Sequence, residues 1–165
     1  MNIIPLLVKE FEQEAATTRK MLALVPTDKF DWKPHPKSMS IKQLTVHLAE
    51  IPSWPAMMFA TDGLDFASSP YQPKQAENAD GLLKLLEESI QASLDAFGKA
   101  KEEDLLPIWT LRNGEHILAE MTKYEAIRHS FSQTTHHRAQ FGVFLRLLNI
   151  PIPGSYGPSA DEMGM

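Results

Sequence analysis

Apolar positions recur at helical spacing from the start of the chain. Ile4, Leu7, Val8, Phe11, Ala15, Thr18, Leu22 and Val25 form one stripe, with Lys9, Glu10, Glu12, Gln13, Arg19 and Lys20 opposite. This predicts an amphipathic helix of about twenty residues that stops before Pro26. A Pro- and Ser-rich loop follows, and Ser40 with Gln43 three residues on has the form of a capping box. It opens a second helix whose apolar stripe is Ile41, Leu44, Leu48 and Ile51. Pro52 and Pro55 break or kink that helix, because neither has an N–H to donate, and "PSWPAMMFA" continues as a further helical piece. After a long connection, Leu82, Leu83, Leu85, Leu86, Ile90, Leu94 and Phe97 mark a third helix from about Ala79 to Ala100. Apolar residues then flank Asn113-Gly114, a signal for a β-hairpin with a type I′ turn. Thr122 and Glu125 form a second capping box, which opens a last helix from Lys123 to Asn149. The Pro- and Gly-rich tail after it reads as irregular. The pattern predicts an all-α four-helix bundle with a short hairpin before the last helix, built as a single domain over residues 1–165.

Composition narrows the function classes. At 165 residues, 43% apolar and 22% charged, the chain has the make-up of a globular protein with a real core. A net charge of −5 and the lack of any Lys/Arg cluster argue against a nucleic-acid partner. No window approaches the ~18 apolar residues of a membrane span, and the N-terminus lacks a basic leader, so a cytoplasmic location is expected. With no cysteine, thiolate ligands and a cysteine nucleophile are excluded.

The remaining chemistry lies in six histidines. His47 falls between Leu44 and Ile51 on the inward side of the second helix, either as a hydrogen-bonded core histidine or as a ligand. In the last helix, stepping back by fours from Phe141 gives His137, Gln133 and His129 on one predicted inward line. Residues four apart rise about 6 Å and can share an ion, whereas His129 and His137, about 12 Å apart, cannot. Gln133 with His137, or His129 with Gln133, are the two registers. His136 is off the line and faces a rim or solvent. His35 and His116 read as loop and surface residues without ligand-spaced partners. Glu50 reads as a solvated helix glutamate, with a supporting acceptor or base as the alternative. Ser130, Ser132, Thr134 and Thr135 are expected to bond back to preceding carbonyls.

"DWKPHPKSMSIKQLTVHLAEIPSW" together with "HHRAQFGVFLRLLNIPIPGSYGPSADE" resembles the DinB family, the damage-inducible DinB/YfiT-like group of metal-dependent enzymes. The resemblance implies an up-down-down-up bundle and a divalent ion, nickel or zinc, held by one histidine on the second helix and two on the last. The matching positions here are His47, Gln133 and His137, so Gln stands where the family has an imidazole. Three outcomes stay open: a His-Gln-His site completed by water, a site recruiting His129 or His136, or a metal-free polar pocket. The resemblance further implies a thiol-dependent S-transferase or a hydrolase acting on a small molecule, with a low-molecular-weight thiol as candidate cosubstrate. The alternative is a non-catalytic bundle binding a small ligand. A homodimer is also expected.

Overall fold

The computed structural model describes residues 2–69 and 71–165. Helix α1 runs Ile4–Leu22 and buries Leu7, Phe11, Ala15, Thr18 and Leu22, the stripe read from the sequence. It has no side-chain cap of its own. Glu102, far along the chain, accepts the Ile3 and Ile4 N–H groups at 2.9 and 3.0 Å and satisfies two of its orphan donors.

Helix α2 spans Ile41–Glu50, and its capping box forms as expected between Ser40 and Gln43. Pro52 ends it in a 3-10 turn over Ile51–Ser53, and α3, Trp54–Ala60, resumes behind it. The long connection is less plain than the sequence suggested. It contains a short strand β1, Gly63–Asp65, parallel to β2, Ile108–Asn113. Gly63 is required there, since a Cβ would collide with the Thr110 carbonyl oxygen. Asp65 then accepts the Ala67 and Gly114 N–H groups, both at 2.9 Å, and ties this strand to the hairpin turn.

Helix α4, Ala79–Lys99, is capped by Asn78 and buries Leu82, Leu85, Leu86, Ile90 and Phe97. Strand β3, His116–Thr122, pairs antiparallel with β2, giving sheet order β1-β2-β3. The hairpin is therefore present, but its turn differs from the expected type I′. Asn113 pairs with His116, which leaves Gly114-Glu115 as the two-residue loop, and only Gly114 has positive φ (61°). A type I′ turn needs positive φ at both central residues, whereas glycine at the first alone matches type II′. Helix α5, Lys123–Leu147, starts at the predicted Thr122–Glu125 capping box.

Four main helices, with α2 and α3 forming one broken rod, enclose the apolar core. The phase of α5 is where the sequence reading shifts. Its buried line is Ile127, Phe131, Thr134, Arg138, Phe141 and Leu145, in alternating steps of four and three. Stepping by four throughout drifts about 40° each time, roughly 120° between Phe141 and His129. His137 and Gln133 are accordingly half-buried on the flank of the core, and His129 is exposed. Beyond α5 the tail lacks helix and strand but is tied down: Arg146 pairs with Asp161 at 2.7 Å, whose carboxylate also accepts Ile152 N–H at 2.9 Å. None of the helices is long and apolar enough to cross a membrane.

Candidate functional site

The capping box and the buried Leu44–Leu48–Ile51 stripe fix the rotation of α2, and that rotation turns His47 toward α5. There it meets His137. The two ring centres are 4.8 Å apart and nearly perpendicular, at 78°. Trp54, at the start of α3, stands edge-on to His47 at 5.7 Å, and Tyr71, from the connection, does so at 6.2 Å. Two helices, the break between α2 and α3, and one loop thus converge on a single pair of imidazoles.

The pair is held neutral. Burial pushes the His47 pKa below its ordinary value, the neighbouring His137 adds to this, and Glu50 opposes it. Burial likewise lowers His137, against the hydrogen bond that its ring donates to Gln140 and with a smaller contribution from His136. His137 Nδ1 lies 2.9 Å from Gln140 Oε1. With the amide oxygen as acceptor, Nδ1 carries the proton and Nε2 keeps its lone pair. An orienting bond of this kind is what metal-ligating histidines make on their second nitrogen. The His47 ring has no hydrogen bond to another described residue.

Glu50 departs from the solvated glutamate expected of it. It is 8% exposed, accepts Lys74 N–H at 2.9 Å through one oxygen, and accepts the Tyr71 hydroxyl through the other. Burial and the adjacent carboxylate raise the Tyr71 pKa well above its ordinary value, so the phenol stays a donor. Both Glu50 oxygens are engaged, and the residue acts as a clamp holding the connection against α2.

Gln133 pairs along its own helix. Its amide nitrogen lies 3.3 Å from His129 Nε2. His136 is exposed, with its ring 4.9 Å from that of His137. His35 and His116 are exposed, as expected. Ser130, Ser132 and Thr134 bond back to Ile127, Arg128 and Ser130 carbonyls, also as expected, whereas Thr135 pairs with the Tyr156 hydroxyl at 3.0 Å.

Do these residues suit a divalent ion? Two neutral imidazoles from different helices are good donors to zinc or nickel. Rings sharing an ion through nitrogens at about 2.0–2.1 Å have centres roughly 5 Å apart, which the observed spacing matches. The third position is a neutral amide already paired with His129. Among the described residues, no three His, Asp or Glu side chains form a metal-holding group. The described residues thus offer two imidazoles, with Gln133 engaged by His129.

A second polar cluster was missed by the sequence reading. Arg138 is 2% exposed, and its Nη2 lies 2.6 Å from Glu14 Oε2. It also donates to the Tyr156 hydroxyl at 2.7 Å and, through Nη1, to Glu14 O and Thr18 Oγ1, each at 3.2 Å. The signal was present in α1: Glu14 lies between Phe11 and Thr18 on the buried side, where a lone charge demands a partner.

The chain matches the DinB family over residues 1–164. It belongs to the DinB family. Among solved structures it is similar to a DinB-like protein from Bacillus subtilis, at 17% identity, over 90% of this chain and 96% of that one, with a TM-score of 0.69. A DinB-like protein from Bacillus cereus matches at 15% identity over 91% and 95%, TM-score 0.64. A protein from Exiguobacterium sibiricum described as a DinB family member matches at 19% identity over 93% and 97%, TM-score 0.67. At these identities the likeness speaks to the DinB fold alone. No curated protein matches the chain at a significant level.

Proposed function

We propose that this DinB-family protein is a metal-dependent enzyme, a transferase or hydrolase acting on a small molecule at the His47–His137 pair. The observation that carries the reading is the pair itself: two neutral imidazoles from α2 and α5 with ring centres 4.8 Å apart, one of them oriented by Gln140. His47 and His137 would hold the ion, with Gln133 as a weak third ligand reached by releasing His129. A divalent ion in an open site lowers the pKa of a bound water or thiol and so supplies a nucleophile near neutral pH. The chain's own groups do the rest. Gln140 fixes the His137 tautomer, Trp54 and Tyr71 pack edge-on against His47, and the Glu50 clamp keeps Tyr71 in place. The expected partner is a small substrate, with a low-molecular-weight thiol as candidate cosubstrate. Exposed Val143 and Leu147, one turn apart on α5, support a homodimer through that face. The test is zinc or nickel titration of metal-stripped, untagged protein by calorimetry. Binding that disappears in His47→Ala and His137→Ala supports the site, and binding unchanged in both removes it.

The Gln133–His129 contact favours a second reading, a non-catalytic bundle in which the histidine pair lines a metal-free ligand pocket. That reading predicts a melting temperature indifferent to chelator.

A further inference from the structure

Lys123, the first residue of α5, is 7% exposed. Its ammonium has two long contacts, to the Phe59 carbonyl and to Asp62 Oδ1, both at 3.4 Å. The Asp62 side chain is 94% exposed, so its charge is largely screened by water. An ammonium has three donors, and neither contact is short enough to compensate a buried charge well. The Lys123 side chain also lines a cavity of about 420 Å³ between α3, α4 and the turn leading to β2.

About half of the cavity wall is apolar, made largely of small residues, Ala56, Ala60, Ala92 and Ala96, together with Phe59. Phe59 is fixed by an edge-on contact with Phe97, ring centres 5.5 Å apart. The other charges are on exposed residues at the rim, and the two acids there are already engaged. Asp95 accepts from the Gln91 amide and Asp104 from the Lys101 N–H, each at 2.8 Å. Lys123 is thus the one buried charge in the lining, facing an alanine-lined space.

We propose that this cavity is a binding site for a small organic carboxylate, with the anionic oxygens on Lys123 Nζ and a compact aliphatic body against the alanines. A charge-assisted bond from the buried Lys123 side chain is the strong polar contact on offer. The alanine and Phe59 surfaces favour a carbon skeleton over a bare inorganic anion. The site is separate from the histidine pair: Lys123 and His137 are fourteen residues apart on α5, about 21 Å along its axis. It stands whether or not the protein is a metalloenzyme.

The experiment titrates the full chain with 2-methylpropanoate, followed by NMR shifts of the α3, α4 and α5 amides. The uncharged 2-methylpropanamide and inorganic phosphate serve as comparison probes. Saturable binding of the carboxylate alone is expected. Lys123→Met weakens it about tenfold or more, the range for losing one charge-assisted bond, and Lys123→Arg restores part of it. Because Lys123 also helps cap the end of α3, a second variant leaves it intact. Ala96→Leu fills the cavity and abolishes binding while the fold persists. The proposal is overturned if the carboxylate does not saturate, if amide or phosphate binds equally well, or if Ala96→Leu binds as the parent does.

Discussion

His137 and Arg138 are neighbours in the chain but answer to different demands. Arg138 points into the core and is closed on every side: Glu14, Thr18 and Tyr156 take its donors, and its guanidinium sits 5.3 Å over the Tyr156 ring. Tyr156 in turn donates to Glu14 at 2.8 Å. His137, about 100° round the helix, is half-buried and holds one nitrogen in a hydrogen bond while the other is free. The first cluster is closed by charge, with Glu14 Oε2 held by the Arg138 ion pair and no hydrogen bond, and it holds α1, α5 and the tail together. The second keeps open valences facing a pair of aromatic walls. A buried cluster whose charges are paired reads as architecture, and one whose ring nitrogen is left open reads as a site.

The largest expected effect breaks the closed side. Arg138→Ala strands Glu14 with its charge mostly buried, and such a loss costs about 3–5 kcal/mol. Urea melts should show it as a lowered midpoint, with the tail detaching from α5 before the bundle unfolds. On the open side, removing the orienting bond has a functional rather than a structural cost. Gln140→Ala should weaken zinc or nickel binding about 10–100-fold with the urea midpoint little changed, because Gln140 is exposed.

A smaller effect concerns the clamp. Tyr71→Phe removes one of two bonds to a buried carboxylate, worth about 1 kcal/mol for so exposed a tyrosine. Hydrogen exchange should speed up at Lys74 N–H and leave the α5 amides unchanged.

The smallest is a pH effect. Both imidazoles have folded pKa values below 6.5, so on acidification the unfolded chain takes up protons before the folded one. Their contribution to stability is therefore full above about pH 6.5 and falls as pH drops below it. The doubly substituted His47→Gln/His137→Gln protein should lose that part of the slope, and Arg138→Ala should keep it.

Much of this was legible in the sequence because local rules acted alone. Both capping boxes, the break at Pro52 and the α1 and α4 stripes form as read. The misses have long-range causes. Strand β1 exists because Gly63 and Asp65 meet β2 and its turn, more than forty residues away. The turn type depended on which residue closed the last pair, Arg112 or Asn113. The phase of α5 was lost because a polar residue, Arg138, occupies the core position, and a hydrophobic pattern cannot register an arginine whose partner is Glu14. For the site, the sequence supplied His47 and His137, while the roles of Gln140, Trp54 and Tyr71 came only from packing.

His47 and His137 are proposed to form a metal half-site limited by Gln133. Elemental measurement of untagged protein after gel filtration tests it most directly, with Gln133→His and His137→Ala run beside the parent. Gln133→His should hold about one divalent ion per chain, the count for one completed three-ligand site. The parent should hold less and His137→Ala none. A Gln133→His protein as metal-free as His137→Ala would contradict it.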